Sequence, residues 1–91
     1  FHLLATIVVI LLGIYFSINP FEWLILIFTI NTVLVAEMIN TSIEAMVDLI
    51  TLERRADAKI AKDVSAAMVL ISATLSIVVA IIIFIPKILT I

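Results

Sequence analysis

Three long apolar runs, parted by only two polar breaks, constrain this chain more than any other feature. The breaks are Asn19-Pro20 and the charged segment Leu52 to Asp63, which reads LERRADAKIAKD. A soluble fold of 91 residues has too high a surface-to-volume ratio to hide side chains that are 66% hydrophobic. The expected class is therefore an all-α integral membrane protein.

About 20 apolar residues span the hydrocarbon core of a bilayer. The first run, 1–18, comes close to that length and contains Gly13. Asn19-Pro20 then makes a turn, because the residue before proline is pushed out of the helical region. The second run is predicted as a helix over about 21–51, roughly 45 Å long and longer than the core. Segment 52–63 is predicted as a charged loop and 64–85 as a third helix, closed by Pro86-Lys87. With no repeat or low-complexity tract, the chain reads as one membrane domain, 1–91.

Four of the five basic residues, Arg54, Arg55, Lys59 and Lys62, lie between the second and third helices. The positive-inside rule places that segment in the cytoplasm and the carboxyl end outside. Tyr15, Phe16, Phe21 and Trp23 surround the opposite turn, where an aromatic belt is expected. A net charge of −2 and so few cations do not suit nucleic-acid binding. The absence of cysteine excludes disulfides and thiolate metal sites.

Within the second helix, Glu37, Asn40, Glu44 and Asp48 recur at steps of three, four and four. At about 100° per residue they share one face within roughly 80°. Carboxylates on a membrane helix are costly and usually functional. Asp48, nearest the charged loop, reads more readily as a solvated residue than as a functional one. Glu37 follows Val33-Leu34-Val35-Ala36, at or below the interface. A carboxylate at that depth is the candidate general base. Asn40 suits a hydrogen bond between helices.

Lys62 and Asp63 precede the third helix. Structurally they are a snorkelling cation and a helix cap; functionally Lys62 is a cation placed for phosphate oxygens. Ser65, Ala66, Ala67, Ser72, Ser76 and Ala80 form a small-residue face suited to close helix packing, and no base is positioned to make Ser65 a nucleophile. With one glycine in the chain, a phosphate cradle of backbone amides is excluded. A nucleotide site here must use side chains and metal, and acidic residues with a lysine are the ingredients for Mg2+ and a triphosphate.

The string Glu37-Met-Ile-Asn40-Thr-Ser-Ile-Glu44-Ala-Met-Val-Asp48, followed by Ala61-Lys62-Asp63-Val-Ser-Ala-Ala67, resembles the prokaryotic diacylglycerol kinase family, which includes the undecaprenol kinases of Gram-positive bacteria. The resemblance covers essentially the whole chain. It implies three membrane helices, a homotrimer with shared active sites, and transfer of the γ-phosphoryl of Mg-ATP to a lipid hydroxyl at the cytoplasmic face of the bacterial plasma membrane. By motif, Glu37 would be the general base and Glu44 would coordinate Mg2+. Asn40 would orient Glu37 or the phosphates, and Lys62 would neutralise charge on the transferring group. Asp48 and Asp63 would bind nucleotide or hold Lys62. The AKIAKDV stretch and the IPK ending favour undecaprenol over diacylglycerol.

Two departures accompany the resemblance. The family carries an amphipathic surface helix before the first span, with a further metal-ligand Glu, and this is expected to be missing upstream of Phe1. The charged loop also differs from the Tyr-His-Pro type of the Gram-positive branch. A competing class is a non-enzymatic membrane transporter or scaffold, for which one membrane Glu would suffice without Asn40, Glu44 and Lys62.

Overall fold

In a computed structural model, which describes residues 2–53 and 55–90, the chain forms α1 (His2–Tyr15), α2 (Pro20–Ile50) and α3 (Ala56–Leu89). α2 and α3 pack along much of their length, whereas α1 meets α2 mainly beside the turn that joins them. The molecule measures 55 × 20 × 17 Å. α2 and α3 are both long and apolar enough to cross a membrane. Most of their large apolar side chains face outward, including Leu24, Phe28, Leu70 and Ile82. In water that pattern would be untenable; against lipid it is the expected one.

α1 ends at Tyr15, three residues before the predicted boundary, for a local reason. The Ser17 amide bonds to the Ile14 carbonyl at 3.2 Å, and the Ile18 amide to the Gly13 carbonyl at 3.2 Å. This is the paired bonding of a Schellman ending, with Ser17 in the left-handed region at φ 53°. The chain then enters α2 at once. Asn19 is the N-cap, Pro20 occupies the first turn, and Glu22 completes a reciprocal capping box. The Glu22 amide bonds to Asn19 Oδ1 at 2.8 Å and the Asn19 amide to Glu22 Oε1 at 3.2 Å. Gly13 admits the ring of Trp23: a Cβ there would lie 2.7 Å from Cη2 of Trp23 and 3.2 Å from Cδ1 of Ile18.

The third helix departs most from the sequence-based expectation. It begins at Ala56 rather than at residue 64, so most of the charged segment is helical and the α2–α3 link shrinks to 51–55. Alanine and lysine are strong helix formers. Lys59 and Asp63, four apart, also form an ion pair at 2.6 Å on the helix surface. At its other end α3 continues past residue 85 through Pro86 to Leu89. There Lys87 meets Glu22, Nζ to Oε1 2.9 Å, tying the end of α3 to the start of α2. Beneath this clamp lies a small core of Ile18, Leu26, Ile83 and Phe84.

Candidate functional site

The face of α2 that carries Glu37, Asn40, Glu44 and Asp48 is one contiguous column, as the helical period requires. Along the axis Glu37 stands about 10 Å from Glu44 and about 16 Å from Asp48, at 1.5 Å per residue. Glu37 and Asn40 are half-buried, while Glu44 and Asp48 are exposed. The Glu37 carbonyl accepts from the Thr41 hydroxyl at 3.0 Å.

α3 meets this column at two places. Lys62 reaches across to Asp48, Nζ to Oδ1 2.6 Å. Ser65 donates to Asn40 Oδ1 at 2.7 Å, and Asn40 Nδ2 donates in turn to Glu44 Oε1 at 3.2 Å. Asn40 thus bridges the helices, as its type and depth suggested. Asp63 behaves differently from the sequence-based expectation. Because α3 starts eight residues earlier, Asp63 lies inside the helix and caps nothing; it pairs with Lys59, and it is Asp48 that holds Lys62.

Asp48, Lys59, Lys62 and Asp63 border an open cleft of about 620 Å3 between the end of α2, the link and the first turns of α3, with Arg55 on its rim. Three cations, Arg55, Lys59 and Lys62, share its lining with three carboxylates, Asp48, Glu53 and Asp63, and cations so placed are of the kind that form charge-assisted bonds to phosphate oxygens. Glu37, Asn40 and Glu44 do not line it; they rise from its edge toward the apolar part of α2. A further cleft of about 210 Å3 lies between α1, α2 and α3, walled by Val9, Leu26, Ile30, Val33 and Ile77. Its Thr29 and Ser76 hydroxyls are bonded to the Ile25 and Ala73 carbonyls.

Among the described residues no three His, Cys, Asp or Glu side chains come together to hold a metal ion. The donor set still suits Mg2+, which prefers one or two carboxylates completed by phosphate oxygens and water over an all-protein cage. Glu44, exposed and steadied on one oxygen by Asn40, leaves the other for such a role.

Ser65 is the residue whose part sequence reasoning missed. It is read there as packing, yet it is only 2% exposed and supplies a hydrogen bond between the helices. The available signal was phase. Ser65 lies three residues after Lys62, so the two share a face of α3 once the helix is continuous through both.

Residues 1–84 match the family model described as prokaryotic diacylglycerol kinase. The chain is 37% identical over 87 residues to the undecaprenol kinase of Bacillus subtilis (strain 168), a match covering 96% of this chain and 71% of that protein. No solved structure matches. The family match takes in α1, α2 and nearly all of α3, including every residue of the acidic column and Lys62, and the chain belongs to the prokaryotic diacylglycerol kinase family.

Proposed function

We propose that this membrane lipid kinase transfers the γ-phosphoryl group of ATP to the hydroxyl of undecaprenol, with diacylglycerol as the alternative acceptor. One observation carries the reading: an acidic column on one membrane-length helix meets a lysine of the next at the charged end of both. The similarity to an undecaprenol kinase supports the choice of lipid.

Phosphoryl transfer asks mainly for positioning and for electrostatic stabilisation of charge on the moving group. Lys62, with Lys59 and Arg55 beside the same cleft, supplies positive charge for the triphosphate. Asp48 keeps Lys62 turned toward the column until phosphate oxygens compete for it. Glu37 stands furthest toward the apolar part of α2, at the depth where a lipid hydroxyl arrives. It takes the hydroxyl proton as the oxygen attacks the γ-phosphorus and the bond to the β-phosphate oxygen breaks, releasing ADP. Glu44, oriented by Asn40, is the carboxylate that would hold Mg2+, which when bound neutralises charge on the β- and γ-phosphates. Asp63 keeps Lys59 at the cleft and contributes to the nucleotide site indirectly.

The remaining elements of the reading are topological. Segment 52–63 faces the cytoplasm of a bacterial cell, the carboxyl end faces outward, and α1 forms a third span. The chains assemble as a homotrimer in which a neighbour completes each site. The outward-facing apolar side chains of α2 and α3 and the small-residue face of α3 are compatible with such packing.

The test is transfer of radiolabelled phosphate from ATP to each purified lipid by the full-length protein. Transfer to undecaprenol in preference to diacylglycerol supports the reading, and the opposite preference overturns the choice of lipid. No ATP-dependent transfer to either would move a non-enzymatic transporter or scaffold ahead. Glu37→Gln should abolish transfer while the oligomer still forms, as read by crosslinking; surviving transfer refutes the general-base role.

A further inference from the structure

Ser65 is the most buried polar side chain among the described residues, 2% exposed, at the point where α3 crosses the acidic column. Its hydroxyl has one proton to give. The nearer acceptor is Asn40 Oδ1 at 2.7 Å; the carbonyl of Lys62 lies at 3.0 Å. On the far side of the same amide, Asn40 Nδ2 faces Glu44 Oε1 at 3.2 Å.

The chemistry fixes the direction of this chain of bonds. An ionised carboxylate only accepts, so the amide must turn its nitrogen to Glu44 and its oxygen toward a donor. Ser65 is that donor. Alanine would fill the space between the helices as well as serine does, but would leave Oδ1 with no proton to accept. The amide could then rotate by half a turn and set its oxygen against the Glu44 carboxylate. Bulk and helix propensity therefore do not account for the hydroxyl, whereas amide orientation does.

We propose that Ser65 is a positioning residue that locks the Asn40 amide in the one orientation that lets it donate to Glu44, and so aims the carboxylate that takes the divalent cation. This rests on the lipid-kinase reading and on Glu44 as the cation ligand. The relay runs from Ser65 through Asn40 to Glu44, so its loss is expected to weaken cation binding while leaving the Glu37 carboxylate and the Lys62 ammonium in the chain.

The experiment uses full-length protein in lipid nanodiscs, with Mn2+ as the probe. Its binding in the presence of a non-hydrolysable ATP analogue is read by electron paramagnetic resonance, beside steady-state kinetics. Ser65→Ala is expected to weaken Mn2+ binding and raise the apparent KM for Mg-ATP by about fivefold, the scale of one neutral hydrogen bond. The KM for lipid should be unchanged. On an Asn40→Ala background the same substitution should add nothing, because its effect runs through the amide. Wild-type Mn2+ affinity in Ser65→Ala, or an equal loss on both backgrounds, overturns the proposal.

Should Ser65→Ala fail to assemble, the isosteric pair Ser65→Thr and Ser65→Val isolates the hydroxyl. The threonine variant is expected to bind Mn2+ about fivefold more tightly, and equal binding overturns the proposal. A wild-type protein that binds no Mn2+ beside the nucleotide analogue also overturns it. Wild-type transfer with an indifferent Ser65 sinks this inference alone, whereas absent transfer sinks the lipid-kinase reading beneath it.

Discussion

Lys62 and Asp48 lie 14 residues apart in sequence and 2.6 Å apart in space, joining the start of α3 to the end of α2 across the short link. Both are well exposed, 41% and 60%, so the pair contributes about 0–1 kcal/mol to stability. Its importance is placement of charge. Lys62→Gln is expected to leave the thermal midpoint in detergent nearly unchanged while lowering kcat for lipid phosphorylation by at least about tenfold, the scale of losing a charge-assisted contact in the transition state. Asp48→Asn, which keeps the shape and releases the lysine, should cost less activity than Lys62→Gln.

Gly13 is required by the aromatic ring beside it. A Cβ 2.7 Å from Trp23 and 3.2 Å from Ile18 forces one of them to move. Gly13→Ala should therefore destabilise the protein by about 1–3 kcal/mol despite alanine's better helix propensity. Adding Trp23→Phe should recover part of the loss, measured by unfolding on titration with a denaturing detergent.

Glu22 does two things that substitutions can separate. It closes the capping box with Asn19, and it pairs with Lys87 in a partly buried position, the two side chains being 20% and 28% exposed. Glu22→Gln keeps a capping side chain and loses only the charge. Its cost should match that of Lys87→Met, since each removes one partner of the same ion pair. Asn19→Ala removes the cap itself and should cost a further, independent amount of about 1 kcal/mol. Thermal unfolding of the three single variants and the Glu22→Gln/Lys87→Met double variant checks both statements, because the double should cost no more than either single.

Trp23 is the chain's single tryptophan and reports depth directly. It follows Glu22 in the first turns of α2 and should lie near one headgroup layer. Its fluorescence is expected to be quenched most by lipids brominated close to the headgroup and least by those brominated near the chain ends. The reverse order would place the α1–α2 turn in the bilayer interior.

The helical class and the acidic column are legible in the sequence because both follow from periodicity, which needs no knowledge of partners. The entry into α2 is legible too, since Asn19, Pro20 and Glu22 carry capping chemistry within four residues. The start of α3 is not, because charge between two apolar runs reads as loop, and only local helix propensity and the Lys59–Asp63 pair make it helix. The same misplacement hid two details of the site. Asp63 looks like a cap only if the helix begins beside it, and Ser65 looks like packing until α3 is laid against Asn40. Ion pairs over 14 or 65 residues, Lys62 with Asp48 and Lys87 with Glu22, depend on which helices meet, and no local pattern announces that.

The continuity of α3 through its charged segment has a mechanical consequence. Lys62 and Ser65 are fixed to one shaft, three residues apart, so neither can swing without the other. A turn of α3 about its axis therefore moves the backbone beneath both contacts, Lys62 to Asp48 and Ser65 to Asn40, at once. The two contacts that the start of α3 makes with the column are thereby coupled through one continuous helix.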